Sequence, residues 1–356
     1  MTSLIKKSAI FFLSIILAFI LIMISIEILT QLKQDQMEDQ KTDPNNDVIR
    51  IGLSLGTLKE ERWIKDSELL QAKAAEYGVE VIVLNANNDD KDQLNQVEYL
   101  IKQDIDVLLI VPNDYNKATE AVKIAKAHSI PVISYDRLVL NANVDLYISF
   151  DNFKVGELLA QKVVNTPGVQ NVLIINGAKT DYNTHMIKDG YDKVLEPLFD
   201  SGEMTLLSEN WTNNWIKEFA FNYTESAIRS GTKIDAILAA NDSLAEAVIE
   251  ALSEYRLTGK VTVVGQDADL TACQRIVEGT QAMTIYKPIE QLVDSALRMA
   301  VKLAKHEPLG INRTINDGQY DVDYLVLDPI PVDIDNIEET IIEDGFHLRE
   351  DVYRNK

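Results

Sequence analysis

The sequence predicts an α/β protein made of two lobes, each built around a doubly wound parallel sheet. Strand-like apolar segments alternate with segments of helical periodicity from residue 51 to residue 264. Several strands are continuous apolar runs, such as Val107 to Val111, which is typical of parallel strands covered by helices on both faces. The alternation starts again near residue 172, and ten or more strands would be unusual in one sheet, so two sheets are expected.

The predicted first lobe alternates strands with helices. Its strands are expected at residues 51–55, 79–84, 107–111, 131–135 and 146–150. Apolar residues at helical spacing predict helices within residues 65–77, 94–101 and 118–125. Gly78 follows the first of these helices and is a suitable helix stop.

The predicted second lobe repeats this pattern. Its strands are expected at residues 172–175, 204–207, 236–239 and 261–264, and its helices at 186–199, after Trp215 and at 244–252. Crossings of the chain near residues 150–154, 279–283 and 312–328 would form a three-stranded hinge. We therefore expect an N-terminal lobe of residues 48–151 plus 282–312 and a C-terminal lobe of residues 152–281 plus 313–356. Isoleucines at helical spacing after Pro331 predict a terminal helix.

The N-terminus predicts a membrane anchor. Residues 9–26 are apolar or small, and Lys6 and Lys7 precede them. Eighteen residues at helical rise span about 27 Å, close to the thickness of a bilayer core. Bulky residues close the stretch, so a transmembrane helix within residues 1–30 is favoured over a cleaved signal peptide, which remains the alternative. The lysines predict a cytoplasmic start, a single pass and an extracytoplasmic body, joined by a polar tether at residues 31–47.

Charge and composition narrow the classes of partner. The chain has 34 basic and 56 acidic side chains and a net charge of -22, which disfavours nucleic acid and anionic lipid. Cys273 is the single cysteine, and the four histidines show no metal-binding spacing. We therefore predict no metal, no cofactor and no catalytic residue.

Five short polar motifs begin where a predicted strand ends or shortly after it. They are Glu61-Arg62-Trp63, Tyr135-Asp136-Arg137, Ala240-Asn241-Asp242, Gly265-Gln266-Asp267 and Tyr286-Lys287-Pro288. In an open parallel sheet the carboxyl ends of the strands line one crevice, so these motifs can meet around one small molecule. Arg and Lys only donate hydrogen bonds, carboxylates only accept, and Asn does both, which suits a ligand rich in hydroxyl groups.

The ordered set of motifs resembles the sugar-binding type I periplasmic binding proteins, and most closely the branch that binds D-xylose. Further matching segments are Tyr147 to Asn152, Lys154 to Glu157, Gly265 to Leu270, Gly279 to Gln281 and Asp344 to His347. The resemblance covers residues 49 to about 350. It implies the two-lobed fold, with D-xylose or a related monosaccharide as the ligand.

The resemblance also implies which side chains bind the sugar. Those expected to contact its hydroxyls are Arg62, Arg137, Asp181, Asn183, Asn241, Asp267 and Lys287. Trp63 and Trp215 are expected to pack against its ring. Tyr182, between Asp181 and Asn183, is a departure, because the family more often has a small amide there.

With the predicted anchor, the chain resembles membrane-anchored xylose sensors that associate with a sensor histidine kinase. This favours a sensor that regulates a two-component system, with sugar-promoted dimerisation of the complex. The alternative is the binding component of an ABC-type xylose uptake system. A pentose-processing enzyme using Asp267 and Asp269 is disfavoured, because no activated nucleophile or metal set accompanies them. A sugar-responsive repressor is disfavoured because a membrane segment occupies the place of a DNA-binding headpiece.

Overall fold

A computed structural model describes residues 48–354, of which residues 50–354 belong to one compact unit. The strands are β1 (Ile49–Leu55), β2 (Val79–Asn85), β3 (Val107–Val111), β4 (Val132–Tyr135), β5 (Leu146–Phe150), β6 (Asn171–Ala178), β7 (Thr205–Thr212), β8 (Ala236–Ala239), β9 (Thr262–Val264), β10 (Thr284–Tyr286), β11 (Thr314–Asn316), β12 (Asp321–Leu327) and β13 (Ile330–Val332). The α-helices are α1 (Glu61–Ala74), α2 (Asp90–Ile101), α3 (Ala118–Ala127), α4 (Asn152–Val164), α5 (Tyr182–Ser201), α6 (Lys217–Arg229), α7 (Asp242–Glu254), α8 (Leu270–Glu278), α9 (Ile289–Ala304) and α10 (Arg349–Val352).

The strands form two main sheets, which confirms the α/β class and the parallel sheets expected from the sequence. The first sheet has the order β11-β12-β5-β4-β3-β1-β2; β11 pairs antiparallel with β12, and the strand pairs from β12 to β1 are parallel. The second sheet has the order β7-β6-β8-β9 and is parallel. The β3 run is fully buried, as expected for a strand covered on both faces.

A small antiparallel pair of β10 and β13 extends the second sheet. The bridge between Val264 and Met283 and the bond from Asp267 N to the Ile285 carbonyl join β10 to the end of β9. Residues 283–286 therefore lie beside the second sheet, although residues from 282 onward were expected in the N-terminal lobe. Helix α9, which follows, packs against α1 and the first sheet as expected.

The expected assignment of residues 313–327 to the C-terminal lobe does not match the sheet order. Strand β12 pairs in parallel with β5, so these residues belong to the first sheet. Tyr324 stacks on Tyr147 at 4.8 Å between ring centroids and donates a hydrogen bond to the Phe150 carbonyl. The alternating pattern of β12 identifies a half-buried strand, but this pattern carries no information on which sheet the strand joins.

The chain passes between the two sheets three times, at residues 150–152, 286–289 and 327–330. The first crossing lies where the sequence predicts it. The second lies a few residues after the expected range of 279–283, and the third begins at the end of the expected range of 312–328. The predicted terminal helix is replaced by a five-residue π-helix at Glu338–Ile342 and by the short α10. Ile337 and Ile341 are buried there, whereas Ile334 is exposed.

The predicted anchor at residues 1–30 and the tether at residues 31–47 lie outside the described residues. Within residues 48–354, none of the helices has the length and apolar character needed to cross a bilayer.

Candidate ligand-binding site

A cavity lies where the carboxyl ends of strands from both sheets face one another. Its lining is Glu60, Arg62, Trp63, Asp136, Arg137, Asp181, Asn183, Trp215, Asn241, Gln266, Asp267 and Lys287. The space not filled by protein atoms here is about 340 Å³, part of which is open solvent at the mouth of the cavity. All nine residues predicted from the sequence line this cavity; that each contacts a ligand stays a prediction.

Strand ends and helix starts bring these side chains together. Arg137 follows β4, Asp267 follows β9 and Lys287 follows β10, so each extends from the carboxyl end of its strand. Arg62 and Trp63 lie in the first turn of α1, which follows the loop after β1. Open α/β sheets bind ligands in this type of crevice.

Two of the lining residues also cap helices. The Asp181 side chain accepts a hydrogen bond from Asn183 N at the start of α5, and the Asn241 side chain accepts one from Leu244 N at the start of α7. Each side chain satisfies a backbone donor that the helix leaves free. These residues therefore stabilise a helix terminus and line the cavity at the same time.

Glu60, Asp136 and Gln266 line the cavity but were not selected from the sequence. A signal was present for each, because Asp136 and Gln266 lie inside two of the five motifs and Glu60 directly precedes a third. The sequence analysis selected one residue, Arg137 or Asp267, from each of the two motifs that hold Asp136 and Gln266, whereas the backbone brings two side chains of each motif into the cavity. A strand end followed by a turn can present consecutive residues to the same space.

Arg62 is the central cation of the cavity and is 5% exposed. Its Nη2 lies 2.9 Å from Asp136 Oδ2, its Nε 3.5 Å from Asp66 Oδ2 and its Nη1 3.8 Å from Asp267 Oδ1. Burial alone would raise the pKa of Asp136, but the nearby cations Arg62, Lys287 and Arg137 lower it below its ordinary value. Asp136 is thus held as a carboxylate.

Asp66 lies behind Arg62 and shows the opposite pKa shift. Burial raises its pKa to about 6, although Arg62 and the hydrogen bond donated by the Tyr135 hydroxyl both favour the charged form. Arg62 lies closer to Asp136 than to Asp66, so desolvation prevails at Asp66.

Several polar contacts join groups from the two sheets across the cavity. Arg137 Nε lies 2.7 Å from Asp181 Oδ2. The Asn183 amide donates to the Asp136 side chain and carbonyl at 3.1 Å, and the Tyr147 hydroxyl donates to Asn183 Oδ1 at 3.2 Å. In this structure the two halves therefore lie in direct contact around the cavity.

Two indole rings line opposite parts of the cavity. Arg62 and Arg137 lie over the Trp63 ring, with guanidinium carbons 4.2 and 5.1 Å from its centroid. Trp215 packs on Gly177, where a Cβ atom would overlap the indole. Trp215 also has a φ of 56°, an unusual conformation for a bulky residue that marks functional sites.

Some buried polar atoms of the lining have no hydrogen-bond partner among the described residues. Those that take part in no ion pair either are Glu60 Oε2, Trp63 Nε1, Trp215 Nε1 and Gln266 Oε1. Native proteins seldom leave such groups unpaired, because the loss of water is not compensated. Two donors and two acceptors around one cavity are therefore available to a ligand that both accepts and donates.

A family model described as a periplasmic binding protein domain matches residues 51–308. The D-xylose-binding periplasmic protein of Haemophilus influenzae is 43% identical over 86% of this chain and 92% of its own length. The D-xylose-binding periplasmic protein of Escherichia coli is 40% identical over 84% of this chain and 91% of its own length. This chain belongs to the type I periplasmic sugar-binding proteins.

Solved structures of periplasmic binding proteins share the fold. An ABC transporter solute binding protein from Clostridium phytofermentans, with bound β-D-glucose, superposes with a TM-score of 0.79. It is 27% identical, and the match covers 85% of this chain and 99% of that one. Because periplasmic binding proteins are binding components, the chain is not an enzyme, as the sequence predicts.

Next to the cavity of this periplasmic binding protein lies a second acidic group, the Asp242 cluster of Asp242, Asp269, Gln281 and Thr284. The Asp242 carboxyl accepts hydrogen bonds from the Gln281 amide at 2.8 Å, the Thr284 hydroxyl at 2.6 Å and Asp269 N at 3.1 Å. Burial, with the charge of Asp267, raises the pKa of Asp242 from 3.8 to about 8 and outweighs these hydrogen bonds. Burial and the charge of Asp242 also raise the pKa of Asp269.

Proposed function

We propose that this protein binds D-xylose, or a closely related monosaccharide, outside the cytoplasm and presents it to a membrane partner. The observation that carries the proposal is the composition of the cavity lining. Its charged residues are four carboxylates and three cations, giving a formal sum of -1. Because the positive and negative charges of the lining nearly cancel, the cavity suits an uncharged ligand. A phosphate or a polycation would leave a larger uncompensated charge in a buried space.

The mixture of partners supports a sugar in particular. Sugar hydroxyls donate to carboxylates such as Asp267 and accept from Arg137 and Lys287, and such charge-assisted bonds are roughly twice as strong as neutral ones. The apolar C–H face of a pyranose fits against an indole such as Trp215. D-xylose is preferred as the first candidate because two relatives at 43% and 40% identity are named for binding it.

Closure of the two sheets around the sugar would follow from the site. Residues of both sheets line the cavity, and three crossings of the chain link the sheets. Hinge motion at these crossings would admit the sugar and then enclose it. A partner that distinguishes the closed from the open form can then respond to the sugar.

For the partner, the ABC-type permease is the better supported candidate. The similar solved structure from Clostridium phytofermentans is an ABC transporter solute binding protein, and a 25% identical relative from Bacillus subtilis is a ribose import binding protein. The second candidate is a sensor histidine kinase, with this chain anchored in the membrane by residues 1–30. The apolar stretch of residues 9–26 favours it, because an uncleaved helix would keep the protein beside one membrane partner.

Calorimetry of the full chain in detergent tests the ligand. Titration with D-xylose, D-ribose, L-arabinose and D-glucose should give the lowest Kd for D-xylose. The absence of binding for every monosaccharide of this panel would contradict the proposal.

Purification of the full chain from its native membranes, with and without D-xylose, tests the partner. Recovery of permease subunits supports uptake. Recovery of a histidine kinase without permease subunits supports the sensor instead. Sugar-promoted dimerisation would be supported if D-xylose increases the amount of kinase that is recovered together with a dimer of this chain.

A further inference from the structure

Tyr182 lies between two cavity residues but does not line the cavity itself. Asp181 and Asn183 both contribute to the lining, whereas Tyr182 is the first residue of α5 and is half-buried elsewhere. Successive side chains of a helix point in directions about 100° apart. The Tyr182 side chain therefore contacts another part of the protein rather than the ligand.

Helix α5 packs on both sheets through two different stripes of side chains. Ile187, Tyr191 and Leu195 belong to the buried cluster of the second sheet. Tyr182 and Met186, four residues apart, pack instead against the buried cluster of the first sheet. Residues four apart lie on one face of a helix, so the first turns of α5 extend from the second sheet onto the first.

The partner of Tyr182 in the first sheet is Tyr115, in the loop between β3 and α3. The two rings meet edge to face, with centroids 5.7 Å apart, and Tyr115 makes a second such contact with His185 at 5.9 Å. Tyr115 N also donates to the Thr180 carbonyl at 3.0 Å. The Leu140 amide donates to the Tyr115 carbonyl, which ties this loop to the first sheet. We name Tyr115, Tyr182 and His185 the aromatic bridge.

We propose that the aromatic bridge holds the two sheets together around the bound sugar, so that Tyr182 sets the lifetime of the sugar complex without touching the sugar. This inference rests on the proposed function. The bridge crosses between two halves that are linked by three chain crossings, and opening of the cavity would separate its rings. A contact present only in the closed form raises the apparent affinity by favouring the binding-competent state. Loss of this contact should speed sugar release, because the contact must break before the sugar can leave the cavity.

Stopped-flow tryptophan fluorescence of the full chain with D-xylose tests this role, since Trp63 and Trp215 line the cavity. Tyr182→Ala should raise the rate of sugar dissociation roughly three- to tenfold, the range expected for an aromatic pair. The association rate should change less than twofold. Tyr182→Phe keeps the ring and should restore the rate of the unmodified protein.

A double-mutant cycle separates the bridge from a general weakening of α5. Tyr115→Ala changes the opposite side of the contact, and the double variant Tyr115→Ala with Tyr182→Ala should be less impaired than the product of the two single effects. Tyr99→Ala is a matched control, because Tyr99 is a half-exposed helical tyrosine of the first-sheet half, and it should change neither rate. If Tyr182→Ala does not fold, Tyr115→Ala alone decides the test.

Three results would overturn the inference: an unchanged dissociation rate in both alanine variants, independent effects of Tyr115 and Tyr182, or no rescue by Tyr182→Phe. These results differ from a failure of the proposed function. In that case the unmodified chain would not bind D-xylose, whereas a failure of the bridge alone leaves its binding intact.

Discussion

The cavity and the Asp242 cluster lie side by side, and the buried carboxylates of Asp136 in the cavity and Asp242 in the cluster have pKa values shifted in opposite directions. In the cavity, Asp136 is close to Arg62, and its pKa lies below its ordinary value. In the Asp242 cluster, hydrogen-bond donors surround Asp242, and its pKa is raised. Burial acts on both, and at Asp136 the three nearby cations Arg62, Lys287 and Arg137 together outweigh it. Asp136 is therefore held as a carboxylate, whereas the surroundings of Asp242 favour the neutral carboxyl.

The cavity lining and the Asp242 carboxyl also differ in unused hydrogen-bonding capacity. The cavity lining retains unpaired buried atoms such as Trp215 Nε1 and Gln266 Oε1. Both carboxyl oxygens of Asp242 accept hydrogen bonds from protein groups. Spare capacity is a feature of a binding site, and complete pairing is a feature of internal structure. Substitution of a cavity group that faces the ligand should therefore alter sugar binding, and substitution of Asp242 should alter stability. Arg62 also neutralises buried carboxylates, so its loss should alter stability as well.

The largest expected effect is that of Arg62→Ala. This substitution leaves Asp136 and Asp66 buried without their shared cation, so the free energy of unfolding should fall by about 3 to 5 kcal/mol. Urea denaturation of the sugar-free full chain measures it. A loss below about 1 kcal/mol would contradict the central role of this cation.

Asp267→Ala should weaken sugar binding more than it destabilises the protein. Asp267 lies 3.4 Å from Lys287 and 3.8 Å from Arg62 in the cavity, and its carboxylate is a proposed acceptor for sugar hydroxyls. Loss of a hydrogen bond to a charged group costs about 2 kcal/mol, or roughly thirtyfold in Kd for D-xylose. Calorimetry measures this, with Asp267→Asn as the variant of matched shape. Unchanged affinity in both variants would remove Asp267 from the site.

The pH dependence of stability provides a test of the Asp242 cluster. Because the folded protein holds a proton on Asp242 that the unfolded chain releases, stability should fall as the pH rises from about 4 to 8. One such group contributes at most about 1.4 kcal/mol per pH unit. Asp242→Asn should remove this part of the slope in urea denaturation at pH 5, 6, 7 and 8. A slope equal to that of the unmodified protein would mean that Asp242 is ionised in the fold.

The smallest effect is expected at the surface pair of Arg349 and Glu338. These side chains are 59% and 44% exposed, and their charges lie 2.8 Å apart. Solvent screens an exposed ion pair, so Arg349→Ala should leave the urea midpoint of the full chain nearly unchanged. The ratio of its effect to that of Arg62→Ala measures how much burial magnifies the loss of a cation. If Arg349→Ala and Arg62→Ala lowered the free energy of unfolding equally, burial of the cation in the cavity would have no special effect on stability.

The sequence predicts the alternation of strands and helices because periodicity is a local property. It also predicts that Arg137, Asp267 and Lys287 meet, since parallel strands present their carboxyl ends at one edge. The hydrogen bond from Tyr135 to Asp66 could not be predicted, because it joins residues 69 positions apart through the packing of α1. The sheet chosen by β12 depends in the same way on its fit to β5.

The double use of Asp181 and Asn241 limits how such a protein could evolve a new ligand preference. Each starts a helix as well as facing the cavity, so exchanging either one costs about 1 kcal/mol of helix stability before any gain in recognition. Gln266 and Lys287 cap no helix through their side chains among the described residues. Natural variation in specificity should therefore accumulate first at Gln266 and Lys287, while Asp181 and Asn241 change late.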